Sequence, residues 1–558
     1  MAARLILPNL KPEIWEWCVP YQRDGVARAV ARQNYHFWWA CGAGKSLAAL
    51  IWGLSFRNPI LIFCRASARG QWVSDAIEAF TTLKAYTILP MSEQGKDYES
   101  INAYLARCYR EWTKPIVVVS WDGLTDPRQR AAIDIVMSHA PSVIADEAHA
   151  VKNHSHWKRT ACTRQRDLNA WRSLAAERDG FVVKDDESDD WIMLTPVLSI
   201  AGQAARVAPL ATRRLALTAT PMYNALRDLW AQLSFVEPKQ HGRYGDWARH
   251  FCGAYEGEYG RIDTGQSNVE ELRNILAQRR HEVTSEEVWQ YLPPCERLLT
   301  VIPQSEQGRE QGVKPSRMRE IVRAAGGGDA LFDELGSSDG KEAYRALVFA
   351  NIATRKRPYV VRTVGERLRQ GQKCLVFTGL RNDAEQTHEA IVKETKGRFQ
   401  TWMAHGGMTT KERERIRKEF MAHPGPCAIV GTGHAWGESL SLHTAHYLAI
   451  VQLPWTWGQI RQWEGRVRRL GQLCRITIEY MYAAGTRDMR VYDIVRPKLA
   501  KQEAISDDSH IRDVREAVAG GTDKQLKQSI FDSIVGGTMK ETDIFDAFDD
   551  ADEDLLCA

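Results

Sequence analysis

No stretch of the sequence approaches the ~18–20 consecutive apolar residues of a membrane-spanning helix, and the N-terminal MAARLILPNLKPEIW has too brief an apolar core for a secretory signal. A cytoplasmic protein without a membrane partner is expected, nucleoid-associated in a cell or in the host cytoplasm if viral. Paired cysteines are missing as well. The 11 cysteines are scattered from Cys18 to Cys557 with no C-x-x-C spacing, which argues against a disulfide framework and a zinc site. Reduced thiols, mostly packed as small apolar groups, are expected. A large excess of one sign of charge is missing too: a formal net charge of +4 is too weak to identify a nucleic-acid binder by itself. What is present is length and apolar content. A chain of 558 residues with 44% hydrophobic residues can bury several cores, at roughly 100–200 residues per domain.

Short apolar runs recur, each followed by a longer helical segment: PILIFC (59–64), PIVVVSW (115–121), PSVIADEAH (141–149) and RRLALTATP (213–221). After a gap come QKCLVFTG (372–379), PCAIVGTG (426–433), AHYLAIVQLP (445–454) and CRITIEYMY (474–482). Continuous apolar runs alternating with helices indicate parallel strands buried on both faces, hence an α/β fold of two doubly wound lobes. The expected layout is an N-terminal lobe over 1–235 with an insertion at about 160–208, a helical connecting region over 236–345, a C-terminal lobe over 346–500 and an extension over 501–558. The connecting region shows no comparable strand series and holds the loose-looking AAGGGDALFDELGSSDGKE. The chain closes on ETDIFDAFDDADEDLLCA, with 8 acidic and no basic residues, a composition usual for a solvated tail.

Two constellations carry chemistry. HFWWACGAGKSLAAL (36–50) ends like a phosphate-binding loop running into an apolar helix, although Trp39 stands where the pattern G-x-x-x-x-G-K-[ST] has its first glycine. Gly42, Ala43 and Gly44 allow backbone to approach phosphates, Lys45 supplies charge, and the Ser46 hydroxyl suits Mg²⁺. Trp38 and Trp39 read as core residues beside the loop, with stacking on adenine as the alternative. Asp146 and Glu147 directly follow an apolar strand, where open α/β sheets bind ligands. Adjacent carboxylates there can serve a metal ion and an attacking water. Alone, such a pair is an ordinary solvated strand end; about one hundred residues after GAGKS it completes a Walker A and Walker B pair.

With DEAHAVKN (146–153), RRLALTATPMYNALRDLWAQLSFVEP (213–238) and QWEGRVRRLGQ (462–472), the chain resembles helicase superfamily two, in particular its Swi/Snf-type DNA translocases. PYQRDGV (20–26) resembles the adenine-reading Q motif, with Gln22 as the reader; RASARGQW (65–72) resembles motif Ia, KCLVFTG motif IV and GTGHAWGESLSLHTA (431–445) motif V. HFCGAYEGEYGRIDTGQSNVEELRNILAQRR (250–280) resembles the annealing-helicase subgroup. The likeness covers about residues 15 to 490, and in this family the loop commonly lacks its first glycine.

The resemblance implies two RecA-like lobes that hydrolyse ATP with Mg²⁺ between them and move on duplex or forked DNA, independently of sequence. It makes Lys45, Asp146, Glu147, Arg466 and Arg469 catalytic, the two arginines as fingers reaching across the cleft, with Ser46 and Asp146 toward the metal. It makes His149, Thr218, Thr220 and Gln462 residues that couple nucleotide state to DNA contact; as plain structure they are caps at strand ends. Arg468 takes no catalytic role. KERERIRKEF (411–420) reads as a solvated helix rather than a DNA patch. From Asn153 to Leu217 lie 63 residues where the family needs far fewer, so the insertion and the acidic tail are candidate docking points for a protein partner. A strand-separating helicase and a nucleotide-gated DNA scaffold with little turnover are the competing functions.

Overall fold

The computed structural model describes residues 7–484, apart from residues 8, 220 and 239 and the segments 153–156, 162–167, 177–180, 185–190, 197–198, 223–225, 258–259, 309–337, 434–440 and 453–456. Thr220, the acidic tail and most of the glycine-rich segment before 338 lie outside the described residues.

The first sheet contains β1 (Asn34–Trp39), β2 (Ile60–Cys64), β3 (Tyr86–Ile88), β4 (Ile116–Ser120), β5 (Ser142–Asp146), β9 (Arg213–Thr218) and β12 (Arg280–Val283). Its order is β12-β1-β9-β5-β2-β4-β3, with every pairing parallel. Side chains alternate across a strand, and both faces are apolar here. Phe37, Trp39, Ile60, Ile62, Val118 and Leu215 enter one core, whereas Leu61, Phe63, Val117, Val119 and Ala216 enter the other. Trp39 is fully buried, stacked on Phe37 at 4.4 Å and met edge-on by Tyr21 at 5.5 Å, and its indole Nε1 donates to His281 Nδ1 at 3.0 Å. The tryptophan at the glycine position of the loop pattern is therefore a core residue.

Between β5 and β9 sits a separate antiparallel sheet of β6 (Trp157–Ala161), β7 (Phe181–Lys184) and β8 (Trp191–Pro196), ordered β6-β8-β7, with helix Leu168–Ala176. The expected insertion is too long at its C-terminal end. Helix Ile200–Val207 buries Ala204 and Val207 in the first lobe's own core beside Ala145 and Ala148. Its small residues gave no apolar run to mark it.

The second sheet is also all parallel: β13 (Cys295–Ile302), β14 (Cys374–Thr378), β15 (Gln400–Ala404), β16 (Cys427–Thr432), β17 (Tyr447–Ile450) and β18 (Ile476–Ala483), in the order β13-β18-β17-β14-β16-β15. The region 236–345 is thus not purely helical. It carries a hairpin of β10 (Tyr255–Gly257) and β11 (Gly260–Ile262), an edge strand of the first sheet and an edge strand of the second. An edge strand such as RHEV pairs on one side only and need not be apolar throughout, so it leaves no run to read. Helices Tyr244–Cys252 and Val269–Ala277 bury Trp247, Phe251, Leu272 and Leu276 against Trp38 and Trp230 of the first lobe.

Candidate functional site

β1 ends at Trp39 and the chain turns through Gly42 (φ +78°) and Gly44 (φ +76°) into helix Lys45–Leu54. Both glycines hold left-handed backbone that side chains rarely adopt. The turn aims the helix N-terminus, with its partial positive charge, along the carboxyl ends of the strands. Lys45 Nζ donates to the carbonyls of Trp39 (3.0 Å) and Ala40 (3.2 Å). The buried Ala43 carbonyl accepts from Tyr21 Oη at 3.1 Å and Gln22 Nε2 at 3.0 Å, and Gln22 Oε1 accepts from Val19 N at 3.0 Å. Both ends of the Gln22 amide are thus engaged within the protein, and the side chain braces the loop. Ser46 lies half-buried in the first helical turn.

At the end of β5, Asp146 Oδ2 accepts from Trp72 Nε1 at 2.8 Å, Oδ1 accepts from Glu147 N at 3.1 Å, and its carbonyl accepts from Trp121 Nε1 at 2.8 Å. Glu147 adopts φ +51°, turning the chain between strand and the following 3₁₀ turn. Burial and the neighbouring Glu147 push the Asp146 carboxyl up to about 6. Burial also pushes Glu147 up, but His149, Lys45, Arg466 and Arg65 together outweigh it and hold the carboxyl below the usual glutamate range. His149 is buried between Glu147 Oε2 (3.4 Å from Nδ1) and Arg65 Nη2 (3.2 Å from Nε2). Thr218 is fully buried at the end of β9, whose Leu217 pairs with Asp146.

The second lobe meets this loop directly. Leu470 N donates to Gly42 O at 3.2 Å, and a Cβ at Gly42 would stand 2.5 Å from Arg469 Cα. A Cβ at Gly465 would stand 2.3 Å from Cys41 Cβ. Helix Trp457–Glu464 and the turn after it therefore lay Arg466 and Arg469 beside the loop. Arg466 is buried, its Nε donates to Gln462 O at 3.0 Å, and its charge acts on Glu147. Burial, with Arg466 and Arg417 adding to it, pushes Arg469 down to about 10, which keeps it a cation at neutral pH. The buried Gln462 belongs to the same helix. Arg468 points away and lies 3.5 Å over the ring of Trp289, a position suited to cation–π attraction. Below it, Arg297 holds Glu464 through two bonds of 3.0 and 2.8 Å.

Lys45, Asp146, Glu147, Arg466 and Arg469 therefore converge from two sheets and nearly the whole described chain. Sequence reasoning missed the braces: Trp72 and Trp121 on Asp146, Arg65 on His149, Trp289 under Arg468. An indole that donates to a carboxylate has no spacing signature, and each of these tryptophans reads as a core residue. Among the described residues no group of three or more His, Cys, Asp and Glu side chains could by itself hold a metal ion, and no helix is long and apolar enough to cross a membrane.

Residues 204–328 match the SNF2-related domain and residues 356–471 the helicase conserved C-terminal domain. The human DNA annealing helicase and endonuclease ZRANB3 is 24% identical over 502 residues, which cover 86% of this chain and 39% of that protein. The SWI/SNF-related matrix-associated actin-dependent regulator of chromatin subfamily A-like protein 1 of Xenopus tropicalis is 24% identical over 493 residues, covering 86% of this chain and 44% of that protein. This chain thus spans about two fifths of the length of these curated relatives. The Sulfolobus solfataricus SWI2/SNF2 ATPase core, solved in complex with dsDNA, aligns over 95% of this chain and 99% of that one, with a TM-score of 0.36 and 16% identity. The chain thus carries matches to the SNF2-related and helicase conserved C-terminal domains in this order, and over most of its length it is similar to Swi/Snf-type relatives of helicase superfamily two.

Proposed function

We propose that the chain is an ATP-driven DNA translocase that closes its two lobes on nucleotide and moves along duplex or forked DNA without regard to sequence. The observation that carries this reading is the convergence of Lys45, the Asp146–Glu147 pair and the second lobe's Arg466 and Arg469 on one glycine loop. ATP phosphates exchange the two carbonyl bonds of Lys45 for charged ones, and the amides of Gly42 to Ser46 cradle them. Glu147, kept ionised by Lys45, Arg466 and Arg65 with His149 beside it, takes the proton of the attacking water. Arg466 and Arg469 oppose the charge that develops on the transferred phosphoryl group, a contribution of roughly 10³–10⁵-fold in comparable enzymes.

A Mg²⁺ ion fits the donor set, because Mg²⁺ takes few protein ligands and shares the rest with phosphates and water. The Ser46 hydroxyl and the Asp146 carboxylate would hold it, and the ion supplies charge neutralisation on the phosphates. Trp72 and the Glu147 amide already orient Asp146 for such a task. His149, Thr218 and Gln462 adjoin these groups and are suited to relay their state toward DNA; Thr220 is assigned the same role by resemblance alone.

Duplex DNA as the track rests on the likeness to Swi/Snf-type proteins, and a preference for forks with rewinding of separated strands on the annealing-helicase relatives. The test is ATP hydrolysis measured with duplex, single-stranded, forked DNA and RNA, alongside displacement of a third strand. Duplex and fork should stimulate hydrolysis, more weakly at high salt because phosphate contacts release counterions. Efficient ATP-dependent opening of a long duplex, or stimulation by RNA alone, would overturn the translocase reading and leave the ATPase.

A further inference from the structure

The helix that follows β2 changes its hydrogen-bonding pattern in mid-course. It is α-helical over Arg69–Gln71 and π-helical over Trp72–Glu78. Such i→i+5 segments are rare and recur where function demands a particular side-chain direction. This segment sends two side chains to two different places. Trp72, itself buried, donates its indole proton to Asp146 Oδ2 at 2.8 Å. Three residues on, Asp75 leaves the first lobe and meets Arg417 of the second, with Arg417 Nη2 3.1 Å from Oδ2 and 3.5 Å from Oδ1.

The lobe-two end of this contact is rigid. The Arg417 side chain is only 8% exposed, and its guanidinium is fixed by Glu414 one helical turn back, at 2.9 and 2.6 Å. The Glu414 bonds lie within one helix and persist whether the lobes are together or apart; the Asp75 bonds exist only when they meet. Asp75 is 36% exposed and also accepts from Ser74 Oγ at 2.8 Å, so it keeps a hydrated, partnered state when Arg417 withdraws. The pair sits at the finger side of the cleft, within electrostatic reach of Arg469 and His443.

We propose that the π-helical segment Trp72–Glu78 transmits lobe closure to the site carboxylate: Arg417 captures Asp75 as the lobes meet, and Trp72 on the same segment then holds Asp146 in its working orientation. Trp72, Asp75 and Arg417 are on this view positioning residues, and their role in turnover rests on the ATPase reading above. The direction of the indole bond is what the contact with the second lobe controls.

Four variants test it: Trp72→Phe, Asp75→Asn, Arg417→Gln and the Asp75→Asn/Arg417→Gln double. Each single change should lower kcat roughly tenfold while KM for ATP stays within about threefold, because positioning acts on the transition state rather than on nucleotide binding. The double should be no worse than either single, the signature of one shared contact. In the nucleotide-free protein, Arg417→Gln should speed amide exchange across Trp72–Glu78, 342 residues away from Arg417 at Asp75. Lys418→Gln, an exposed neighbour on the same helix, should not. Wild-type kcat in Trp72→Phe, multiplicative losses in the double, or unchanged exchange in Arg417→Gln each overturn the coupling. Absence of hydrolysis in the wild type would instead overturn the ATPase reading, and the exchange experiment would still decide whether the segment answers to the second lobe. Asp75→Asn, at a partly exposed surface position, guards against loss of folding in Arg417→Gln.

Discussion

Replacing Gly42 by alanine perturbs the loop in two separable ways. The first is local: an L-residue at φ +78° costs about 1–2 kcal/mol whatever surrounds it. The second arises only against the other lobe. The new Cβ would lie 2.5 Å from Arg469 Cα and Cβ and 2.6 Å from Arg468 O. Carbon contacts settle near 3.5–4.0 Å, so closure would stop about 1 Å short, and the obstruction is backbone that no rotamer change can clear. A displacement of that size at reacting groups costs on the order of 10²-fold in rate. Gly371 provides the control, since it has φ +82° but nothing within 4 Å of its would-be Cβ. Gly371→Ala should therefore lose about 1–2 kcal/mol of stability and keep its kcat. Gly42→Ala should show a similar thermal shift with kcat down about a hundredfold. ATPase kinetics and thermal melting of the pair decide the matter. A wild-type kcat in Gly42→Ala would refute the reasoning, because the loop contact with Arg468–Leu470 could not then form during turnover.

Lys45→Ala should abolish nucleotide binding and turnover together, whereas Glu147→Gln should still bind ATP and lose hydrolysis; normal ATPase activity in Glu147→Gln would remove that residue from the chemistry. Arg466→Ala and Arg469→Ala should each cut hydrolysis by roughly 10³-fold or more with DNA binding retained. His36 is buried, neither ring nitrogen has a hydrogen-bond partner among the described residues, and burial pushes its imidazole down to about 3. Below the unfolded value near 6.5 the unfolded chain takes up a proton that the native one refuses, so stability should fall by about 1.4 kcal/mol per unit as pH drops from 6.5 toward 3. Urea unfolding at pH 7 and pH 5 should show this slope, and His36→Leu should flatten it; equal slopes would place the acid sensitivity elsewhere.

The legible parts of the sequence were those where one physical demand dominates a segment. PILIFC, PIVVVSW, QKCLVFTG and PCAIVGTG must be apolar throughout because strands inside a parallel sheet are covered on both faces, and each contains a strand of the structure. GAGKS and the Asp146–Glu147 pair stood out because the phosphate and metal chemistry proposed for them permits few alternatives, and the structure lays both at the carboxyl ends of one parallel sheet. What escaped serves two demands at once. β12 and β13 are edge strands, partly polar, in a region that otherwise reads as helical. β1 carries Asn34 and His36 among its aromatics, and its Trp39 occupied a position that a motif reserves for glycine. The chain order of the domains hides the same problem, since the insertion gives way to core at helix Ile200–Val207 without any change in composition.

β13 precedes the segment 309–337 in sequence yet belongs to the second sheet, paired over eight positions with β18, from Cys295 with Ile476 to Ile302 with Ala483. A nick anywhere in 309–337 therefore does not divide the protein into its two lobes. The N-terminal fragment leaves carrying a strand that the C-terminal fragment needs, and the C-terminal fragment is left with an open edge along β18. Such halves complement each other as a donated strand fills a sheet, so the two pieces should stay together after proteolysis and reassemble when produced separately. A second lobe cut at 338 should be insoluble alone, and one begun at 295 should not.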